Sequence, residues 1–261
     1  MIAAMNESTA LGAWCAPPPP PLGEGDVHVW RISLASLGQG DDRYDALWTL
    51  LSPEEQSRAK RFHFERDRRA FVISHGMTRR ILARYQQVPA AQLAFVSGEF
   101  GKPALEGVTD ASALAFNLSH SGGIALLAVA RGREVGVDVE QWNAEIEHLQ
   151  LADHFFSESE REALRALAGS PPDVVAGFFA AWSRKEAYLK ASGHGISRGL
   201  HHFDVTLTPG EDATIIADRM DPASSSRWMM RALVAGADYS AAIVVAEPVR
   251  SILLFESDAS A

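Results

Sequence analysis

The order of strand-like and helix-like patterns along the 261 residues restricts the fold more than any other feature of the sequence. A strand-like alternation at Asp26–Leu34 is followed by a helical pattern that runs to about Tyr85. That helical pattern begins at Ser52, a capping residue that precedes a proline and two acidic residues. Three strand patterns come next, at Leu114–Leu118, Ile124–Ala130 and Glu134–Glu140.

The second part of the chain repeats this succession of helices and strands. Helical patterns occupy Glu145–Phe156, Ser157–Leu167 and Asp173–Lys190. Strand patterns follow at Phe203–Leu207, Thr214–Ala217, Arg227–Val234 and Ser240–Ala246. The order of the patterns predicts an α+β fold with two α+β halves, residues 26–140 and 141–261. Residues 1–25 include the proline run 17–21, which has no amide donors, so they are predicted to form a disordered or extended tail.

The charge is distributed unevenly, which indicates a local anion site rather than a general nucleic-acid binder. The formal net charge is −9, whereas nucleic-acid binding requires a positive surface. The segment from Glu54 to Arg84 nevertheless holds nine Lys/Arg and four Asp/Glu, so it carries +5 and the rest carries −14. Cys15 is the single cysteine, and no apolar run approaches the roughly 20 residues that span a bilayer. These two features predict a cytoplasmic protein without a membrane partner.

Two carboxylates lie on one face of the predicted strand GVDVE. Side chains alternate along a strand, so Asp138 and Glu140 point to one side and Val137 and Val139 to the other. Mg²⁺ binds one or two carboxylates and completes its octahedron with water and substrate phosphates. The pattern indicates half of a hard-cation site, although an isolated pair of this kind also occurs at solvated strand ends.

A second candidate lies in the helical segment WSRKEAYLK. Trp182, Glu186 and Lys190 are four residues apart and therefore share one helical face. A large aromatic residue on that face indicates that it turns inward and takes the carboxylate and the ammonium with it. The alternative is an exposed Glu–Lys pair. Gly193 and Gly195 then end the helix in a loop where backbone can approach a ligand.

A third candidate is the segment FNLSHSGG, in which a strand runs into a turn. Ser119, His120 and the open backbone amides of this turn suit phosphate oxygens. A Ser-His nucleophilic pair is a competing interpretation, but adjacent strand residues point apart and no triad acid is evident. A hairpin turn with an exposed histidine is the other alternative.

Four motifs, taken together and in this order, resemble those of the 4′-phosphopantetheinyl transferase superfamily. They are Gly-Lys-Pro at Gly101–Pro103, F-N-x-S-H at Phe116–His120, G-x-D-x-E at Gly136–Glu140 and W-x-x-K-E-A-x-x-K at Trp182–Lys190. The basic helical segment extends the similarity to most of the chain. The length resembles the Sfp type, in which two similar α+β halves form an intramolecular pseudo-dimer with the active site between them, rather than the shorter, trimeric type.

This resemblance implies roles for individual residues. The implied Mg²⁺ ligands are Asp138, Glu140 and Glu186. The implied coenzyme A contacts are Arg58, Arg69, His75, Lys102, Ser119, His120 and Lys190. Some relatives have a lysine directly after Ser-Pro-Glu, where this chain has Glu55. Glu186 is implied to accept the proton of the attacking serine, and Lys190 to stabilise the phosphate.

The resemblance also implies the activity, that of a holo-[acyl-carrier-protein] synthase. Such a monomeric enzyme transfers 4′-phosphopantetheine from coenzyme A to a serine of an apo acyl, polyketide or peptidyl carrier protein and releases 3′,5′-ADP. The alternatives are a Mg²⁺-dependent phosphohydrolase, an acyltransferase that uses coenzyme A, and a non-catalytic relative that binds coenzyme A or carrier proteins. The non-catalytic relative is disfavoured because the chain retains all four residues of the implied site, Asp138, Glu140, Glu186 and Lys190.

The acidic character of the chain has a consequence for partner binding. Carrier proteins are typically acidic as well, so docking is expected to use apolar surface and local positive charge. Trp142, Phe155 and Phe156, which follow the strand with the two carboxylates, are candidates for that surface. Their alternative role is plain core packing.

Overall fold

The computed structural model of the chain describes residues 11–15, 18–34, 41–98, 101–107, 113–193, 195 and 199–257. The helices are α1 (Asp42–Leu50), α2 (Pro53–Lys60), α3 (Glu65–Gln86), α4 (His148–Phe155), α5 (Glu158–Ala166), α6 (Pro171–Ser192) and α7 (Ser224–Arg227). The first six strands are β1 (Trp14–Cys15), β2 (Asp26–Ser33), β3 (Phe95–Ser97), β4 (Pro103–Leu105), β5 (Leu114–Ser121) and β6 (Ile124–Arg131). The last six are β7 (Val135–Gln141), β8 (Phe203–Val205), β9 (Ile215–Asp218), β10 (Trp228–Leu233), β11 (Tyr239–Ala246) and β12 (Ser251–Ser257).

Capping residues define where two of the helices begin. Ser52 precedes α2, and its side chain accepts a hydrogen bond from the backbone N–H of Glu55 while the Glu55 carboxylate accepts one from Ser52 N. Ser157 and Glu160 form the same reciprocal capping box at the start of α5. The helical pattern predicted from Ser52 to Tyr85 is confirmed, with its break between α2 and α3. Helix α1 and strand β12 have no counterpart in the prediction.

Two sheets form the centre of the molecule and pack face to face. The larger has the strand order β1-β12-β2-β6-β5, and the smaller has the order β10-β11-β7. Side chains alternate along β2 and therefore pack in two different cores. Val29 packs in a cluster with Val137 of the smaller sheet, whereas Trp30 packs with Phe71 of α3. On the far side, α6 covers the smaller sheet, with Tyr188 in the third cluster. The layers are therefore helices α1–α3, the larger sheet, the smaller sheet and α6.

Strand pairing does not follow the predicted division at residue 140. Strand β7, which lies almost entirely in the predicted N-terminal half, pairs antiparallel with β11. Strand β12, from the predicted C-terminal half, pairs parallel with β2. The α+β fold class is confirmed, but each half contributes a strand to the sheet of the other.

Part of the predicted tail is ordered by this exchange. Leu11 forms a bridge with Leu233 of β10, and Trp14–Cys15 pairs parallel with β12. The Trp14 indole N–H donates to the Val234 carbonyl at 2.8 Å. Strand pairing therefore holds residues 11–15, which fall within the segment predicted to be disordered or extended.

Candidate active site

The two sheets meet along a seam formed by β5 and β7. Side chains of β5 join these strands: the Asn117 amide oxygen accepts from Val137 N at 2.9 Å, and Ser121 Oγ accepts from Gln141 N at 3.0 Å. Ser121 Oγ also donates to Glu140 Oε2 at 3.0 Å, and Ser119 Oγ donates to Asp138 Oδ1 at 2.8 Å. The seam therefore holds Asp138 and Glu140 through two serines of the neighbouring strand.

Helix α6 approaches this seam closely because residue 136 is a glycine. A Cβ atom at Gly136 would lie 2.2 Å from the carbonyl oxygen of Ala187 and 2.3 Å from the backbone nitrogen of Ala191. No side chain fits that space. The contact brings the backbone of α6 against β7, and the face that carries Glu186 and Lys190 lies beside the carboxylates. The spacing of four residues predicts only that these two side chains share a face.

Lys190 holds one oxygen of Asp138. Its ammonium lies 2.5 Å from Asp138 Oδ1 and 3.0 Å from Ser119 Oγ. The Asp138 side chain is 3% exposed and that of Lys190 is 28% exposed. Asp138 Oδ2 is buried and has no hydrogen-bond partner among the described residues, which leaves one lone-pair face of a buried carboxylate unsatisfied.

Three carboxylates at the seam have raised pKa values. Burial raises the pKa of Asp138, and the Lys190 charge opposes this effect. Burial and the charge of Asp138 raise the pKa of Glu140 to about 7. The same two causes raise the pKa of Glu186, again opposed by Lys190. For Glu140 and Glu186 the charge of Asp138 adds to the effect of burial, so added positive charge would stabilise the ionised cluster.

The donor set of this cluster fits a hard divalent cation. Carboxylate oxygens are the ligands that Mg²⁺ prefers, and the unpartnered Oδ2 of Asp138 provides a free one. Within the described ranges, no group of three or more His, Cys, Asp or Glu side chains is arranged to hold a metal ion. As the side chains stand, Lys190 rather than a third carboxylate is the partner of Asp138.

A cavity of about 360 Å³ opens beside Glu186 and Lys190. Gly101, Lys102 and Pro103 line its other side, and Gly193 and Gly195 lie at its rim after the end of α6. The Lys102 ammonium lies 3.1 Å from Glu134 Oε2 and 3.0 Å from the Val135 carbonyl oxygen. This cavity thus places two lysines and one carboxylate around a single space.

A second cavity, of about 570 Å³, lies between α2, α3 and the strand pair β3–β4. It shares Gly101 and Pro103 with the first cavity, so the two adjoin at the Gly-Lys-Pro turn. Its walls include Phe71 and Phe95, and the Arg58 guanidinium lies 5.2 Å from the centroid of the Phe71 ring. Together the cavities could accept a long ligand with a flat, aromatic end.

The predicted coenzyme A contacts occupy different positions around these cavities. Arg58 and His75 line the larger cavity, and Lys102 and Lys190 line the smaller one. Arg69 lies half-buried on α3 and is not among the residues that line either cavity.

The two predicted histidines have pKa values below the usual range. Burial lowers the pKa of His75 to about 4, so the ring is neutral at pH 7. Its Nδ1 lies 3.0 Å from the Phe71 carbonyl oxygen, which makes Nδ1 the donor of a neutral ring. His120 is exposed to solvent, yet partial desolvation and the positive charges of Lys190 and Arg58 lower its pKa as well. Both side chains therefore act at this pH as neutral hydrogen-bonding groups rather than as cations.

Several residues of the site escape prediction from the sequence. Ser121 holds Glu140, although only its neighbours Ser119 and His120 carry a motif. Glu55 forms a partly buried ion pair of 2.7 Å with Arg79, which also donates to the Leu93 carbonyl. The acid at position 55 thus neutralises a buried arginine at the edge of the larger cavity. In the sequence, this pair is indicated only by an acidic residue in one helix and a basic residue in the next.

The three aromatic residues proposed for partner docking are not equivalent. Phe156 is 2% exposed and stacks on Phe178 at 5.3 Å between ring centroids, so core packing explains it. The Trp142 indole donates to Ser240 Oγ at 2.9 Å, and its ring is partly buried. Phe155 is 41% exposed at the end of α4, on the same helix as Leu149, which is 36% exposed. Of the three, Phe155 presents the most apolar surface to solvent.

Comparisons with known proteins point to one family. A family model described as the 4′-phosphopantetheinyl transferase superfamily matches residues 134–244, and one described as 4′-phosphopantetheinyl transferase, N-terminal, matches residues 40–132. The 4′-phosphopantetheinyl transferase HetI of Nostoc sp. is 37% identical over 230 residues, which cover 88% of this chain and 92% of the relative. The transferase Sfp of Bacillus subtilis is 28% identical over 200 residues, 77% of this chain and 84% of the relative. Among the described residues, none of the helices combines the length and apolar composition needed to cross a bilayer.

Proposed function

Because the chain belongs to the 4′-phosphopantetheinyl transferase superfamily, we propose that it transfers the 4′-phosphopantetheine group of coenzyme A to a serine of an apo carrier protein and releases 3′,5′-ADP. The observation that carries this proposal is the cluster of Asp138, Glu140 and Glu186 at the seam, next to the ammonium of Lys190. Phosphoryl transfer depends mainly on positioning and on neutralising charge, and this cluster supplies groups for both.

In this proposal coenzyme A extends across the two adjoining cavities. The larger cavity, with Phe71, Phe95 and Arg58 in its walls, suits the adenine nucleotide. The smaller cavity suits the pyrophosphate, because Lys102 and Lys190 both line it. With that placement the β-phosphate lies beside Glu186 and the carboxylates of β7, where a carrier serine would have to enter.

The reaction then follows from the groups at the smaller cavity. The serine oxygen forms a bond to the β-phosphorus, while the bond from that phosphorus to the oxygen bridging the two phosphates breaks and 3′,5′-ADP leaves. Glu186, which lines the smaller cavity, accepts the serine proton. Lys190 offsets the charge on the phosphate oxygens. Mg²⁺ held by Asp138, Glu140 and Glu186 would act as a Lewis acid that polarises the pyrophosphate.

The carrier protein would dock near α4. Phe155 and Leu149 expose apolar surface on this helix, and Phe155 also packs edge-on against Trp182 of α6, with 5.6 Å between the ring centroids. An apolar contact suits this pair of proteins, because both are acidic and gain nothing from long-range attraction between their net charges.

Intact-protein mass spectrometry tests the proposed reaction. An apo carrier protein is incubated with the enzyme, coenzyme A and Mg²⁺, and a parallel sample contains EDTA. The proposal predicts a mass gain of one phosphopantetheine, with stoichiometric 3′,5′-ADP, that EDTA abolishes. Consumption of coenzyme A without a carrier would indicate a hydrolase. No gain with acyl, aryl and peptidyl carriers, while coenzyme A still binds, would indicate a non-catalytic relative.

A further inference from the structure

We propose that the ammonium of Lys190 opposes binding of the divalent cation at Asp138 in the free enzyme, and that coenzyme A removes this opposition by drawing Lys190 towards its phosphates. The inference rests on the proposed function, because it concerns the same carboxylates. It assigns Lys190 a second role: besides contacting phosphate, it acts as an internal counter-ion that couples metal binding to coenzyme A binding.

The hydrogen bonds of Lys190 support the first half of this inference. Its ammonium contacts Asp138 Oδ1 at 2.5 Å and Ser119 Oγ at 3.0 Å, and Ser119 donates to the same Oδ1 at 2.8 Å. The Asp138 side chain is 3% exposed, and a buried carboxylate needs a compensating charge to remain ionised. In the free protein Lys190 provides that charge.

An ammonium and a divalent cation cannot share this carboxylate without cost. Two like charges a few ångströms apart repel strongly where water is largely excluded. The structure agrees with such a competition. Lys190 holds Asp138 Oδ1, so a cation bound to Oδ2, which has no partner among the described residues, would lie within a few ångströms of the ammonium.

The position of Lys190 supports the second half. Its side chain is 28% exposed and lines the smaller cavity together with Lys102 and Glu186. A flexible four-carbon stem lets the ammonium turn from Asp138 to a phosphate in that cavity. A phosphate that attracts Lys190 moves the ammonium away from Asp138 and so removes its repulsion with a bound cation. By linkage, the cation must then strengthen coenzyme A binding by the same factor.

Mn²⁺ binding to the full chain, measured by electron paramagnetic resonance, tests this competition. Titrations without carrier protein, and therefore without turnover, compare the wild type with Lys190→Met and Lys190→Gln, each with and without coenzyme A. Without coenzyme A, both neutral variants are expected to bind Mn²⁺ at least about tenfold more tightly than the wild type. Coenzyme A is expected to tighten Mn²⁺ binding more in the wild type than in either variant.

Two control variants separate the ion pair from simpler effects. Lys190→Arg keeps the positive charge and should leave Mn²⁺ binding weak. Lys60→Met removes one exposed lysine of α2, which lies near Trp48 and away from the seam residues, and should behave as the wild type. Thermal unfolding of each variant verifies the fold, and two neutral substitutions are used so that the failure of one to fold does not decide the result.

The outcomes for this inference and for the proposed function are distinguishable. Equal Mn²⁺ affinity of folded Lys190→Met, folded Lys190→Gln and wild type overturns the inference, while carrier modification by the wild type would still support the proposed function. No Mn²⁺ binding to any of these proteins, even with coenzyme A, overturns the metal site and with it both proposals.

Discussion

Helix α6 carries two consecutive charged residues that face opposite environments. Lys185 is fully buried, and its ammonium contacts Glu160 Oε2 at 2.7 Å and the carbonyl oxygens of Leu200 and Phe203 at 2.8 and 2.5 Å. The other oxygen of Glu160 accepts from Val205 N at 2.8 Å. Every strong hydrogen-bonding direction of this pair is used inside the protein, and the pair joins α5, α6 and the segment before β8.

Glu186, the next residue, faces the seam, where the bonding is incomplete. Burial and the charge of Asp138 raise the pKa values of Glu140 and Glu186 there, and Asp138 Oδ2 has no partner among the described residues. The difference indicates what each group does. Removing one member of a buried, fully bonded pair leaves the other charge uncompensated, whereas a carboxylate with an unpartnered oxygen retains bonding capacity for a ligand.

Replacing Lys185 should produce the largest loss of stability. Lys185→Met leaves Glu160 buried without its counter-charge, which costs about 3–5 kcal/mol when one partner of a buried pair is removed. Urea denaturation measures the free energy of unfolding. The double variant Lys185→Met/Glu160→Met removes both charges and should recover part of the loss. If the free energy of unfolding of the single variant falls by less than about 1 kcal/mol, the contrast between the two faces of α6 is contradicted.

Replacing Glu186 should do the opposite, with a large effect on activity and little on stability. Glu186→Gln keeps the shape of the side chain but removes the base, so kcat for carrier modification should fall at least about 100-fold. The free energy of unfolding should stay the same or rise slightly, because repulsion with Asp138 disappears. Glu162→Gln makes the same change at an exposed position of α5 and serves as the control. A normal kcat in Glu186→Gln would refute the assignment of the base.

His28 extends the comparison to a buried group that titrates. Burial lowers its pKa from 6.5 to about 4, with a smaller opposing effect of Asp26. Its Nδ1 lies 2.8 Å from the Tyr85 hydroxyl, and Nε2 has no partner among the described residues. Between pH 6.5 and 4 the unfolded chain binds a proton that the folded protein does not. Stability should therefore decrease as the pH falls through this range, by up to about 3 kcal/mol.

Denaturation at a series of pH values checks the contribution of His28. His28→Gln should remove that part of the slope between pH 6.5 and 4, whatever its effect on stability at pH 7. His63→Gln, at an exposed histidine, should leave the slope unchanged. An identical slope in His28→Gln and wild type would show that other groups dominate the acid transition.

The smallest effect is expected at the exposed aromatic residue of α4. Phe155→Ala removes apolar surface that is 41% exposed, so stability should change by less than about 1 kcal/mol. The KM for the carrier protein should rise a few-fold while the KM for coenzyme A stays constant. Ile216→Ala, at a residue 59% exposed on β9, is the matched control. A parallel rise in both KM values would place Phe155 outside the docking surface.

Local patterns were sufficient to predict the two elements that carry the charged cluster. Strand alternation puts Asp138 and Glu140 on one side of β7, and the spacing of four residues puts Glu186 and Lys190 on one face of α6. Both expectations depend only on neighbours in the chain. The serines that hold the carboxylates lie 19 residues away in sequence, on β5. Their contacts depend on how the two sheets meet, which no local pattern specifies.

The same limit applies to the pairing of the strands. The composition of a strand does not identify its partner, so the pairing of β7 with β11 and of β12 with β2 cannot be read from the sequence. A proline run favours an extended chain but does not say that the residues before it, Trp14–Cys15, will pair with β12. The burial of Lys185 is equally invisible, because an isolated lysine beside a glutamate usually lies at the surface.

Anomalous diffraction from crystals of the full chain grown with coenzyme A and Mn²⁺ tests the central claim most directly. The account predicts a single strong Mn²⁺ peak bound by Asp138, Glu140, Glu186 and the pyrophosphate, with the nucleotide in the cavity between α2 and α3. A coenzyme A molecule seated elsewhere, or a Mn²⁺ peak away from the seam between β5 and β7, would contradict it.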